Sequence, residues 1–213
     1  MFITIDGGDG SGKGRQIEFL KEWFGENGVE FEFFHDPGNT DVGDAIRELL
    51  LHRKDLNICS RAELALFAAS RAQLVQEKIL PALQSGKIVL LDRYLLSTAV
   101  YQGFAAGASE EELVRLWQIG SFLANNVLPD ITFILDCPFD IALQRLNRVK
   151  DRIESKGVDY HKQVVAGYKY FATNWQKYTV GKAFVVDATK SPEKVFEEIR
   201  SILERRLFSE SDS

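Results

Sequence analysis

The sequence predicts an α/β fold, a parallel sheet of about five strands with helices on both faces, and three observations carry that prediction. First, short β-rich runs alternate with longer helical patterns: "FITID" (2–6), "VEFEFF" (29–34), "KIVLLD" (87–92), "ITFILD" (131–136) and "AFVVD" (183–187). Alternation of this kind joins parallel strands through crossover helices. Second, the first, third and fourth runs close on Asp6, Asp92 and Asp136. Open α/β sheets hold ligands at such strand ends, although an aspartate there also simply forms turns. Third, a glycine-rich stretch sits between the first strand and the amphipathic "QIEFLKEWF" (16–24).

Bulk properties narrow the class. A chain of 213 residues is long enough for one well-buried domain, expected to span 1–213. Hydrophobic residues at 45% and charged residues at 27% fit a globular protein. No apolar run approaches the roughly 20 residues that cross a bilayer, and Met1 leads straight into the first strand, so neither a membrane nor a secretory segment is expected. Cys59 and Cys137 lack metal-ligand spacing, which suits two reduced thiols in a cytoplasmic protein. The net charge of -5 argues against broad nucleic-acid binding, so any polyanion site has to be local.

Taken in order, the first strand leads into Gly7, Gly8, Asp9, Gly10, Ser11, Gly12, Lys13, Gly14 and Arg15. Gly7, Gly12 and Lys13 fit the phosphate-loop spacing of glycine, four residues, then glycine-lysine. Backbone N–H groups of such a loop, at the positive end of the following helix, face the phosphates of ATP, and the lysine adds a point charge. Gly14 stands where a serine or threonine normally contacts magnesium. Arg15 either contacts phosphate or points outward from the first helical turn.

The second strand ends in "HDPGNT" (35–40), where Pro37-Gly38 signals a turn. Ser60 with Glu63, and Ser109 with Glu112, have capping-box spacing, and a helix from Ser60 is expected to reach about Gln84 before Ser85-Gly86 ends it. Phe67 and Arg71 are four apart on that helix and share a face. A ring and a guanidinium so placed can stack on a flat base and donate to its carbonyl edge, or serve as core and surface cation. Asp92-Arg93 closes the third strand beside the loop.

After the fourth strand, residues 145–157 carry five cations (Arg145, Arg148, Lys150, Arg152, Lys156) against the anions Asp151 and Glu154. In a helical lid, Arg145, Arg148 and Arg152 share one face, where they can offset charge on a transferred phosphoryl group. A solvated charged face is the alternative. Ser191-Pro192 starts the last helix, and "SESDS" is expected to fray.

Five stretches, "IDGGDGSGKG" (5–14), "DPGNT" (36–40), "FAASRAQLV" (67–75), "LLDRYLLSTAVYQG" (90–103) and "DRIE" (151–154), resemble bacterial thymidylate kinases over nearly the whole length. The resemblance implies a P-loop NTPase-type sheet, a single nucleoside monophosphate kinase domain, a short arginine-rich lid at about 145–157 and a homodimer. It implies phosphoryl transfer from ATP, with Mg²⁺, to dTMP. Gly7 to Arg15, with Arg145, then face the ATP phosphates; Lys13, Asp92, Arg93, Arg148 and Arg152 are the catalytic candidates, with Asp92 near the metal, directly or through water. Asp9, Asp36, Phe67, Arg71, Arg93, Thr98, Tyr101 and Gln102 then hold dTMP. "HDPGNT" departs from the family's Arg-Glu-Pro-Gly-Gly-Thr, replacing a permanent cation with His35 and shortening the carboxylate to Asp36. Lacking an arginine at Gly10 or Ser11, the loop matches members that supply it from the lid. An impaired nucleotide-binding homologue and a kinase of altered acceptor preference are the alternatives.

Overall fold

The computed structural model describes residues 1–146, 151–179 and 181–207. Five strands, β1 (Phe2–Gly7), β2 (Phe31–His35), β3 (Ile88–Asp92), β4 (Ile131–Asp136) and β5 (Lys182–Asp187), form one all-parallel sheet in the order β2-β3-β1-β4-β5. The expected strands are all present, with bounds shifted by at most two residues. β1 is central, and its end pairs Ile5 with Asp92 on one side and Gly7 with Leu135 on the other. The loop after β1 therefore opens at the middle of the sheet, where the order reverses.

Period-two alternation sends neighbouring side chains to opposite faces. On one face Ile3, Ile5, Leu90 and Phe133 pack with Ile17, Leu20 and Phe24 of α1 (Lys13–Glu26) and, at the far end of the chain, with Val195, Ile199 and Leu203 of α9 (Pro192–Leu207). On the other, Val89, Leu91 and Ile134 pack with α4 (Leu80–Gln84), α5 (Leu95–Thr98), α6 (Glu110–Leu123) and α8 (Val158–Asn174). The remaining helices are α2 (Asp41–Arg47), α3 (Ser60–Leu74) and α7 (Phe139–Arg145). Residues 60–84 are helical throughout, as expected, but α3 reaches α4 through a widened π turn at Val75–Ile79.

Ser109 and Glu112 form the expected capping box on α6, and Ser191 Oγ accepts from the Lys194 amide at the start of α9. The box expected at Ser60 does not form. Cys59 is the residue before α3, with no side-chain cap, and Glu63 turns inward. A buried carboxylate with two cations to meet gains more from them than from one exposed amide. The lid also departs from expectation. Leu146 is extended and stops α7, and the Arg152 amide donates to Leu51 O rather than continuing a helix, so Arg145 and Arg152 share no helical face. Arg148, Lys150 and the "SESDS" tail lie outside the described residues.

Candidate active site

The strand ends converge on a cavity of about 410 Å³. Thirteen of the singled-out residues line it: Asp9, Gly10, Gly12, Lys13, Gly14, Asp36, Phe67, Arg71, Asp92, Arg93, Thr98, Tyr101 and Gln102. Gly7, Gly8, Ser11, Arg15, Arg145 and Arg152 do not line it.

The loop is shaped by backbone conformation. Gly10 and Gly12 have φ of +79° and +94°, a region open to glycine and costly for other residues. A side chain on Gly10 would overlap the carbonyl of Ala142 in α7, so the loop is wedged beneath the helix that leads to the lid. Lys13 folds back over the loop and donates to Gly7 O (2.9 Å) and Gly8 O (3.0 Å). Burial, aided by Arg93, lowers its ammonium to about 8 against the pull of Asp9, Asp92 and Asp6. Arg15 takes the outward alternative: its guanidinium lies 4.2 Å from the centre of the exposed face of Phe19, one helical turn on. Arg145 donates to Ala188 O (2.8 Å) after β5.

Arg93 joins this loop to the acceptor side. Its backbone is left-handed, with φ of +67°, and its guanidinium lies 5.1 Å from the Tyr101 ring centre. Nη2 donates to Asp9 Oδ1 (2.5 Å), whose other oxygen accepts from Tyr101 OH (2.8 Å). Burial opposes charge on Asp9, but Arg93, Lys13 and Tyr101 outweigh it and hold the carboxyl below its ordinary value. Arg93 Nη1 donates to Gly7 O, Ser97 Oγ and Tyr168 OH at 3.1–3.2 Å. Ser97 gives its one hydrogen to the buried Asp6 (2.7 Å), so Tyr168, 2.8 Å away, donates to Ser97 and accepts from Arg93. Burial pushes the Asp6 carboxyl up. Asp6 therefore sits beneath the loop rather than in the cavity, and the Asp136 carboxylate makes a long pair with Lys169 (3.6 Å).

A second buried cluster fixes the base side. Arg71 is 2% exposed; its Nε donates to Asp36 Oδ2 and its Nη2 to Thr98 Oγ1, both at 2.6 Å, while Nη1 is buried without a partner among the described residues. Desolvation raises the Asp36 carboxyl, opposed by Arg71. Phe67 stands one turn before Arg71 at the cavity wall. An aromatic face beside an unmet guanidinium N–H suits a planar ring with a carbonyl edge.

Two polar lining residues, Arg47 and Ser97, were given no role by the sequence reading, and Asp151 and Glu154, read there only as anions of the lid, also line the cavity. Ser97 stands within the "DRYLLS" motif. Arg47, whose Nη1 donates to Pro37 O (2.7 Å), closes a helix that Thr40 caps. A cap seven residues upstream locates the helix and leaves the direction of its last side chain open. Arg152, expected near phosphate, donates instead to Leu50 O (2.7 Å) and Glu63 Oε2 (2.6 Å).

Asp92 Oδ1 is buried at the end of β3 beside the loop, without a partner among the described residues. Among the described residues no group of three His, Cys, Asp or Glu side chains could hold a metal. One carboxylate beside a phosphate loop does fit a magnesium ion held mostly by water and phosphate oxygens. Among the same residues, no helix is long and apolar enough to cross a membrane.

A family model described as thymidylate kinase matches residues 5–199. The thymidylate kinase of Kosmotoga olearia is 39% identical over 201 residues, covering 93% of either chain. That of Thermosipho africanus is 40% identical over 210 residues, 98% of this chain and all of the other. With a phosphate loop, a base-sized pocket and one arginine touching both, this chain belongs to the thymidylate kinase family.

Proposed function

We propose that this chain, acting as one kinase domain, transfers the γ-phosphoryl group of ATP to dTMP, giving dTDP and ADP. The observation that carries the reading is the Asp9–Arg93–Tyr101 cluster, in which a loop residue, the strand-end arginine and an acceptor-side tyrosine meet in one cavity. Thymine stacks on Phe67 and accepts from the unmet Nη1 of Arg71; the deoxyribose lies against Tyr101, where a ribose hydroxyl is crowded. Arg93 holds the acceptor phosphate, and Gly7 to Gly14 with Lys13 hold the donor phosphates. Alignment, charge neutralisation and exclusion of water then lower the barrier without a covalent intermediate. Asp92, with the donor phosphates, would hold Mg²⁺ through water, and the ion would supply further neutralisation of charge. Arg148 is assigned as the lid cation for the transferred phosphoryl, and Arg152 as part of the lid's anchorage.

Purified protein with ATP, Mg²⁺ and a panel of dTMP, dUMP, dCMP and AMP tests the reading. Turnover fastest with dTMP is expected; no preference for dTMP, or binding of both nucleotides without turnover, sinks it.

A cytoplasmic homodimer completes the proposal. Unpaired Cys59 and Cys137 support the compartment. The α3/α6 face supports the dimer: Ile119 and Phe122 are 56% and 74% exposed beside an apolar groove lined by Leu64, Ala68, Leu95 and Trp117. Sizing in solution is expected to give twice the chain mass, and Phe122→Asp to shift it toward the monomer.

A further inference from the structure

Glu63 is a carboxylate on α3, 2% exposed, with three partners from two other parts of the chain. Its Oε1 accepts from Gln102 Nε2 (2.9 Å) and Lys156 Nζ (3.0 Å), and its Oε2 from Arg152 Nη2 (2.6 Å). Burial opposes its charge, but Gln102, Arg152 and Lys156 outweigh that and hold the carboxyl below its ordinary value.

The three partners belong to different jobs. Gln102 lines the acceptor side of the cavity beside Tyr101. Arg152 and Lys156 flank Ile153 and Glu154, which line the same cavity from the lid. Arg152 ties the lid nearby twice more, its amide donating to Leu51 O (3.0 Å) and its Nε to Leu50 O (2.7 Å), and Tyr160 OH, at the start of α8, donates to Tyr101 O (2.8 Å). Glu63 itself precedes Phe67 by one helical turn and Arg71 by two, on the face that meets the base pocket. One buried anion thus touches the helix that reads the base, the segment beside the sugar and the lid. Two cations meet on one carboxylate, so their side chains are held at this junction only while Glu63 is ionised and correctly aimed.

We infer that Glu63 is a positioning residue that couples acceptor binding to lid placement. A base seated against Phe67 and Gln102 orders both, and through Glu63 it orders residues 151–156, so the donor meets a lid already in place. The inference rests on the dTMP kinase reading. It requires the two substrates to bind with a mutual advantage, equal in either order of addition.

The test measures the Kd of a non-hydrolysable ATP analogue with and without saturating dTMP, for the wild type and Glu63→Gln. The wild type is expected to bind the analogue at least fivefold tighter with dTMP present, within the usual span of coupling. In Glu63→Gln that factor is expected to fall below twofold, while the analogue's Kd without dTMP changes less than threefold. Restoration of coupling in Glu63→Asp separates charge and aim from simple packing. Should Glu63→Gln fail to fold, the half-exposed Lys156→Gln takes its place, with the coupling factor expected to fall by at least half. Equal coupling in variant and wild type, or none in the wild type, overturns the inference. Failure of the wild type to turn over dTMP strikes the kinase reading instead, so the two failures are told apart.

Discussion

The two halves of the cavity are built in opposite ways. The donor loop takes its shape from backbone: left-handed glycines, a lysine resting on loop carbonyls and a close contact between Gly10 and Ala142. The acceptor side takes its shape from side chains braced by other side chains, Arg71 between Asp36 and Thr98, and Arg93 among Asp9, Ser97 and Tyr168. A site braced by side chains has many single points of failure, whereas a backbone loop tolerates change wherever its glycines are left alone.

The strongest attack on the contrast is at the residue that belongs to both halves. Arg93→Met removes the proposed contact to acceptor phosphate and leaves the half-buried Asp9 without its guanidinium. A fall in kcat of about 10³-fold or more is expected, on the usual effect of losing a transition-state cation; a fall below tenfold would return Arg93 to a merely structural role. Arg71→Lys comes next. An ammonium cannot bridge Asp36, Thr98 and a base carbonyl in one plane, so KM for dTMP is expected to rise roughly 10- to 100-fold, the equivalent of one charged hydrogen bond of about 1.5–3 kcal/mol. Steady-state kinetics should show kcat changing less than KM.

On the donor side the sharpest handle is pH. Lys13 titrates at about 8 in the folded chain against 10.5 for the free side chain. Between those values the unfolded chain holds the extra proton, so the nucleotide-free protein gains stability as pH rises from 8 toward 10.5. Phosphate favours the charged lysine. ATP binding is therefore expected to take up a proton near pH 8.5 and to weaken by up to about tenfold per pH unit above 8. Calorimetry in buffers of different ionisation enthalpy reads the uptake directly, and its absence would remove Lys13 as the titrating group.

The smallest effect tests the loop's tolerance. Among the described residues, nothing beyond Gly14's chain neighbours and its own helix backbone lies within 4 Å of where a side chain there would begin, so Gly14→Ser with Arg15→Thr should fold and restore a hydroxyl beside the proposed metal position. The Mg²⁺ concentration for half-maximal rate is expected to drop about two- to tenfold, as for one hydrogen bond; an unchanged or weaker metal dependence would assign Arg15 to a different arrangement.

Strands were legible in the sequence because a buried parallel strand is rich in apolar and β-branched residues, and β1, β3 and β4 are. The phosphate loop was legible because its chemistry lies in consecutive residues. The failures came where spacing fixes a neighbour but not a direction. Ser60 and Glu63 have the spacing of a cap, yet Glu63 answers to residues 39 to 93 positions away. Arg152 has the right type for a phosphate contact and is claimed by the same carboxylate. Tyr168, 75 residues from Arg93, carries no motif at all; only the packing of α8 against the sheet brings it to the site.

The central place of β1 has a consequence for synthesis. Its neighbours are β3 and β4, and the loop it carries is wedged against Ala142. A nascent chain therefore presents its nucleotide-binding motif early but cannot shape it until residue 142 has been made. Until β3 and β4 have been made, the most fully buried strand of the sheet waits unpaired, and long-range pairing of this kind is slow and exposed to misassembly. A ribosome that stalls before that point releases a chain that carries the whole phosphate-loop sequence and holds no ATP.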